Sequence, residues 1–134
     1  KLNFGGNLIM VQTVAILGAS SKPARYSYLA FKMLQQYGHR PVPVSPHLKV
    51  LEGTPVFSTL AEVGGPIDTL TMYVGPEIST KLRNDILQLK PSRVIFNPGS
   101  ENPTLETELK KVGIEVLEAC TLVLLRTGQF EKSF

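Results

Sequence analysis

Acidic residues are absent from the first 51 positions of this 134-residue chain, and cysteine is reduced to Cys120 alone. A single thiol excludes an internal disulfide and suits a reducing, cytoplasmic setting. No apolar run approaches the ~18 residues of a membrane span, and no secretory signal is evident, so a membrane partner is not expected. Nowhere do His, Cys and acidic residues fall at metal-ligand spacing, and no metal is expected. What is present is ordinary. With 43% hydrophobic and 19% charged residues the chain is globular, and its length fits one domain around one core. Met10 precedes the first strand, and residues 1–9 read as a cloning remnant or disordered leader, so 10–134 is taken as the domain.

The missing acid is matched by an excess of base. Lys1, Lys22, Arg25, Lys32, Arg40 and Lys49 give residues 1–51 a charge of +6, against −3 for the remainder. An anionic ligand held near the first two strands would account for that asymmetry. Nucleic acid is not expected, because the basic residues are sparse and not interleaved with aromatics.

The chain is organised around Val14–Ser27. Val14-Ala15-Ile16-Leu17 reads as a buried parallel strand that stops at Gly18 and passes through small residues into a helix. Backbone amides at such a turn, with the positive end of the helix, suit a phosphate, and Lys22 and Arg25 add full charge. This is not a dinucleotide fingerprint. The first, third and sixth positions hold Gly18, Ser20 and Pro23 where such a loop needs glycine throughout. The region about 20 residues on, Arg40–Lys49, carries no acid for ribose hydroxyls, and no Walker loop occurs.

The first helix is expected from about Ser27, its hydroxyl as the cap, with Leu29, Ala30, Met33, Leu34 and Tyr37 on one face and Gly38 at the end. Further strands are expected at Pro41–Ser45, Ile67–Val74, Arg93–Phe96 and Ile114–Leu117. Pro46–Phe57 reads as a loop, and Thr59–Glu62 has capping-box spacing. A helix runs from Gly75-Pro76 to Leu89, with Ile78, Leu82, Ile86 and Leu89 on one face. Asn102 caps another, with Pro103 at its first position and Leu105, Leu109 and Val112 as its stripe. Thr121–Arg126 is expected to close the fold as a short helix. Strands alternating with helices predict an α/β, Rossmann-like doubly wound parallel sheet of about five strands in a single domain. Ligands in such sheets bind beyond the strands' carboxyl ends, here Gly18–Ser21, Val44–His47, Val74–Pro76 and Asn97–Ser100.

Taken together, VAILGASSKPARYS, PVPVSPH, TMYVGPE and VIFNPGSEN, in this order and spacing, resemble the CoA-binding domain family. Those small cytosolic proteins are similar to the nucleotide-binding N-terminal domain of the succinyl-CoA synthetase α subunit. The resemblance spans about residues 11–130. It implies coenzyme A or an acyl-CoA as the ligand, with Gly18, Ala19, Ser20 and Ser21 holding phosphate beside Lys22 and Arg25. Ser45-Pro46-His47 stands where the family usually has Asn-Pro-Lys, so this chain has a histidine in place of a permanent charge. Val74, Gly75 and Pro76 would lie against the adenosine, and Asn97, Pro98, Gly99 and Ser100 would wall the other side. No counterpart of the synthetase's second domain, with its phosphorylated histidine, occurs in this chain, so binding rather than ligation is implied.

Other chemistry-bearing residues have plainer readings. Cys120 has Glu118, Ala119, Thr121 and Leu122 as neighbours and no base, so a packing role is expected. Glu77 and Glu101 are expected as helix-start charges rather than acid–base groups, and His39 as a solvated residue after Gly38. Two other functions remain open: an NAD(P)-dependent enzyme or redox regulator on the same fold, and an interaction module that binds no nucleotide. A protein partner or a homo-oligomer is compatible with each.

Overall fold

The computed structural model describes residues 10–131; residues 1–9, the expected remnant or leader, lie outside the described residues. The central strand is β1 (Thr13–Leu17), whose residues from Val14 onward are all buried. Side chains alternate across a strand, so Val14 and Ile16 enter the core on one side of the sheet while Ala15 and Leu17 enter the other. Burial on both faces explains why the segment is apolar without alternation. β1 pairs in parallel with β2 (Arg40–Val44) on one side and with β5 (Thr69–Met72) on the other. β6 (Arg93–Phe96) and β7 (Glu115–Glu118) continue the parallel sheet, giving the order β2-β1-β5-β6-β7. Chain direction across the sheet reverses at β1, which opens a crevice at its carboxyl end.

Two layers of helix cover the sheet. α1 (Tyr26–Gln36) packs beside α5 (Thr121–Arg126), with Phe31, Leu34 and Leu125 in the core beneath them. On the other face lie a 3-10 turn (Leu60–Glu62), α2 (Pro76–Lys81), α3 (Arg83–Leu89) and α4 (Pro103–Lys111), which bury Leu60, Ile86, Leu105 and Leu109. Among the described residues no helix is long and apolar enough to cross a membrane.

The prolines of β2 have a positional reason. Arg40 N–H points inward to the Gln12 carbonyl, so Val42 and Val44 also face β1, and Pro41 and Pro43 fall on the outer edge. There the missing N–H groups cost no ladder bond, and Phe57 closes the edge by donating to Pro43 O and accepting from Ser45 N–H.

Several expectations are corrected. α1 begins at Tyr26 with Arg25 as its N-cap; Ser27 is buried on the inner face and caps nothing. The inner face of α1 holds Phe31, while Tyr37 is exposed. The expected loop at 46–57 contains a hairpin, β3 (Val50–Leu51) with β4 (Thr54–Pro55), which Glu52 ties to α1 through the Tyr28 hydroxyl and, at 2.7 Å, the Lys32 ammonium. The helix expected to run unbroken to Leu89 breaks at Leu82, leaving Ile78 exposed. The break follows from two anchors. Asn102 donates to the Ser79 and Thr80 hydroxyls and so holds α2, while Arg83 is bound to Glu108 at 2.6 Å and holds α3. Val112, just past α4, is exposed as well.

His39 is also not solvated. Gly38, at φ +86°, turns the chain back under the sheet, so that His39 Nδ1 accepts the Gln12 N–H at 3.1 Å. Its Nε2 lies 3.3 Å from Glu131, and its ring packs 5.1 Å from Phe130, over which the Arg93 guanidinium sits at 4.7 Å. Burial pushes the His39 pKa below its ordinary 6.5, against the opposing pull of Glu131 and with Arg93 adding to the depression.

Two outcomes follow for stability. Gly18 has φ +93°, and a Cβ there would meet Val74 Cγ1 at 3.0 Å. Gly18→Ala is therefore expected to destabilise by about 1–3 kcal/mol, read from the denaturant midpoint. For His39, the unfolded chain binds the proton more tightly than the folded one. Stability is thus complete above the unfolded value and declines as pH falls below it. The melting temperature should drop from about pH 7.5 to about pH 5.5, and His39→Asn, which keeps an acceptor for Gln12, should flatten that slope.

Candidate functional site

At the carboxyl edge of the sheet the loops after β1, β2, β5 and β6 enclose a cleft of about 670 Å³. Of the expected site residues, Gly18, Ala19, Ser20, Ser21, Lys22, Arg25, Ser45, His47, Asn97, Pro98 and Gly99 line it. Val74, Gly75 and Pro76 do not. Val74 turns to the core beneath α3 and α4 and backs the Gly18 turn, Gly75 is the N-cap of α2, and Pro76 opens that helix.

The amides divide into two groups. Gly18 and Ala19 N–H both donate to the Val44 carbonyl at 3.1 Å, so they are engaged within the fold. Lys22 N–H bonds the Ser20 hydroxyl at 3.1 Å. Among the described residues no acceptor meets the amides of Ser20, Ser21, Tyr26, Ser27 or Tyr28. Arg25 as N-cap supplies no side-chain oxygen, and the first turn of α1 holds no acid. An uncapped helix start of this length carries its orphan donors and partial positive charge toward the cleft.

Each remaining wall has a local cause. The buried Ser45 hydroxyl accepts His47 N–H at 3.1 Å, which turns the chain after β2 and leaves His47 exposed. The Asn97 side chain is fully engaged. Its Nδ2 donates to Thr71 Oγ1 at 2.8 Å and Met72 O at 2.9 Å, and its Oδ1 accepts Thr121 N–H at 2.8 Å. It positions the loop Asn97–Ser100 and the start of α5 rather than facing a ligand. Gly99 at φ +92° completes that turn, and Glu101 accepts its N–H at 2.9 Å.

Ser100 lines the cleft as expected of its loop, and Tyr26, Tyr73 and Leu48 line it too, none of these three having been expected as a ligand contact. Tyr73 is the first residue beyond β5; the apolar run Ile67–Val74 hid it, because pairing with β6 ends at Met72. Its hydroxyl is covered beside Thr71 and Thr121, and burial pushes its pKa up to about 12. Cys120 is half-buried at the N-cap of α5 and does not line the cleft.

The titratable groups lining the cleft are Lys22, Arg25, His47 and two phenols, with no carboxylate. Among the described residues no acid pairs with Lys22 or Arg25. Carboxylates gather instead beyond the Asn97–Ser100 loop, where Glu106 and then Glu101 hold Glu118 above the usual carboxylate range. Such an arrangement attracts anions.

Three comparisons bear on identity. The uncharacterized protein YneT of Bacillus subtilis (strain 168) is 27% identical over 104 residues, 78% of this chain and 77% of that protein. The crystal structure of an uncharacterized protein superposes with a TM-score of 0.85 at 40% identity, covering 91% of this chain and 100% of that one. The dinucleotide-forming acetyl-coenzyme A synthetase 1 of Ca. Korarchaeum cryptofilum, at 19% identity, shares the fold, with a TM-score of 0.69 over 81% of this chain and 25% of its own. The model of the CoA binding domain matches residues 12–126, which takes in every strand of the parallel sheet and every loop of the cleft, and the chain belongs to that family.

Proposed function

We propose that the chain binds coenzyme A or an acyl-CoA in this cleft, without catalysis of its own. The observation that carries the reading is the open amino end of α1, where among the described residues no acceptor meets the amides and no acid pairs with Lys22 or Arg25, in a lining free of carboxylate. Phosphate is the group such a site favours, because several N–H donors and full positive charge converge on one anion. His47, at the end of β2, stands where an NAD site places an acid for the ribose, so a ribose bearing phosphate suits this segment better than a bare one. Cys120 is assigned a packing role.

CoA is expected to raise the melting temperature, because a ligand that binds only the folded state stabilises it by mass action. NAD and NADH at equal concentration should do much less, and a shift with NAD but none with CoA would refute the reading. Arg25→Glu is expected to weaken CoA binding by about 1.5–3 kcal/mol, through a lost charge-assisted bond and added repulsion. Calorimetry checks this, and the exposed position of Arg25 means that stability without ligand should hardly change.

A further inference from the structure

The cleft is asymmetric. Its cations lie at the Gly18 turn and on the hairpin side, in Lys22, Arg25 and His47. The opposite side is lined by Tyr26, Tyr73 and Pro98, with no cation, and beyond it stand the carboxylates of Glu101, Glu106 and Glu118.

Helix geometry assigns Tyr26 to that neutral side. Tyr28 and Lys32, one turn apart on α1, both bond Glu52 of the hairpin. Tyr26 precedes Tyr28 by two positions, about 200° round the helix, and so faces away from the hairpin toward α5 and the Asn97 loop. Tyr26 is 61% exposed, and no other aromatic ring packs against it among the described residues. Tyr73 meets the cleft while its hydroxyl is covered, so it presents carbon rather than a donor.

We infer that the ligand lies across the cleft in one sense only, with its phosphates between the Gly18–Arg25 turn and His47 and its uncharged, amide-bearing chain over Tyr26 and Tyr73, and that Tyr26 selects for that chain. This rests on the reading that the ligand is CoA or an acyl-CoA. A polyanion is drawn to the cationic side and repelled from the carboxylate side, which fixes its direction. The pantetheine chain carries methyl groups and planar amides, and aromatic faces pack against both. The reverse placement would set phosphates against Pro98 and the carboxylates and leave the cations unpaired.

The test compares CoA with adenosine 3′-phosphate 5′-diphosphate, which is CoA without its pantetheine. Tyr26→Ala is expected to weaken CoA about tenfold, leave the nucleotide within about twofold, and keep the ligand-free melting temperature; Tyr26→Phe should retain both affinities. NMR contacts from the Tyr26 ring should reach the geminal methyl groups of bound CoA. Contacts to the adenine protons, or a loss of nucleotide affinity in Tyr26→Ala, would reverse the orientation and overturn the inference. So would unaltered CoA binding in Tyr26→Ala. Failure of the unaltered protein to bind CoA at all would instead refute the proposed function.

Discussion

The Val44 carbonyl accepts two hydrogen bonds at the end of the sheet, from Gly18 and from Ala19, and the site follows from that constraint. Both amides can converge on one oxygen because Gly18 sits at φ +93°, a conformation that costs other residues strain. The paired hydrogen bonds draw the chain sharply off β1, across the end of β2, before it enters α1. Val74 fills the space behind Gly18 so closely that a Cβ would meet its Cγ1 at 3.0 Å. What is left exposed is the next part of the turn, Ser20 and Ser21, and the uncapped start of α1. The donors proposed to hold phosphate are thus those that the fold has not already engaged.

A second constraint keeps the far wall in register. Asn97 joins β5, β6 and α5 through three bonds of 2.8–2.9 Å, all within a buried region. Low dielectric makes each of them costly to break, so the loop that follows β6 and the start of α5 move as one body. Thr121 belongs to the same cluster, with the Tyr73 hydroxyl buried beside it, and together they back one wall of the cleft. The other wall is more exposed, since the hairpin reaches α1 mainly through Glu52, Tyr28 and Lys32 at the surface.

The parallel sheet was legible because its strands are apolar runs closed by local signals, such as Gly18 after β1 and the Asn102-Pro103 cap of α4. Those signals act within a few residues of the chain. What sequence could not display were decisions made by distant partners. The hairpin depends on Glu52 finding α1, His39 is buried because Gln12 and Phe130 enclose it, and Leu82 breaks a helix because Asn102 and Glu108 hold its halves apart. At the site, Lys22, Arg25 and His47 were readable from charge and position. That Gly18 and Ala19 amides belong to Val44, and that Tyr26 and Tyr73 face the cleft, depends on where strands end and helices start, the least local information of all.

Amide chemical shifts during titration with CoA test most directly the claim that phosphate is held by the amides the fold leaves open. Ser20, Ser21 and Ser27 N–H should move downfield as they gain a charged acceptor, with Gly18 and Ala19 changing little because Val44 already occupies them. Large shifts confined to Gly18 and Ala19, or to residues outside the cleft, would contradict the account.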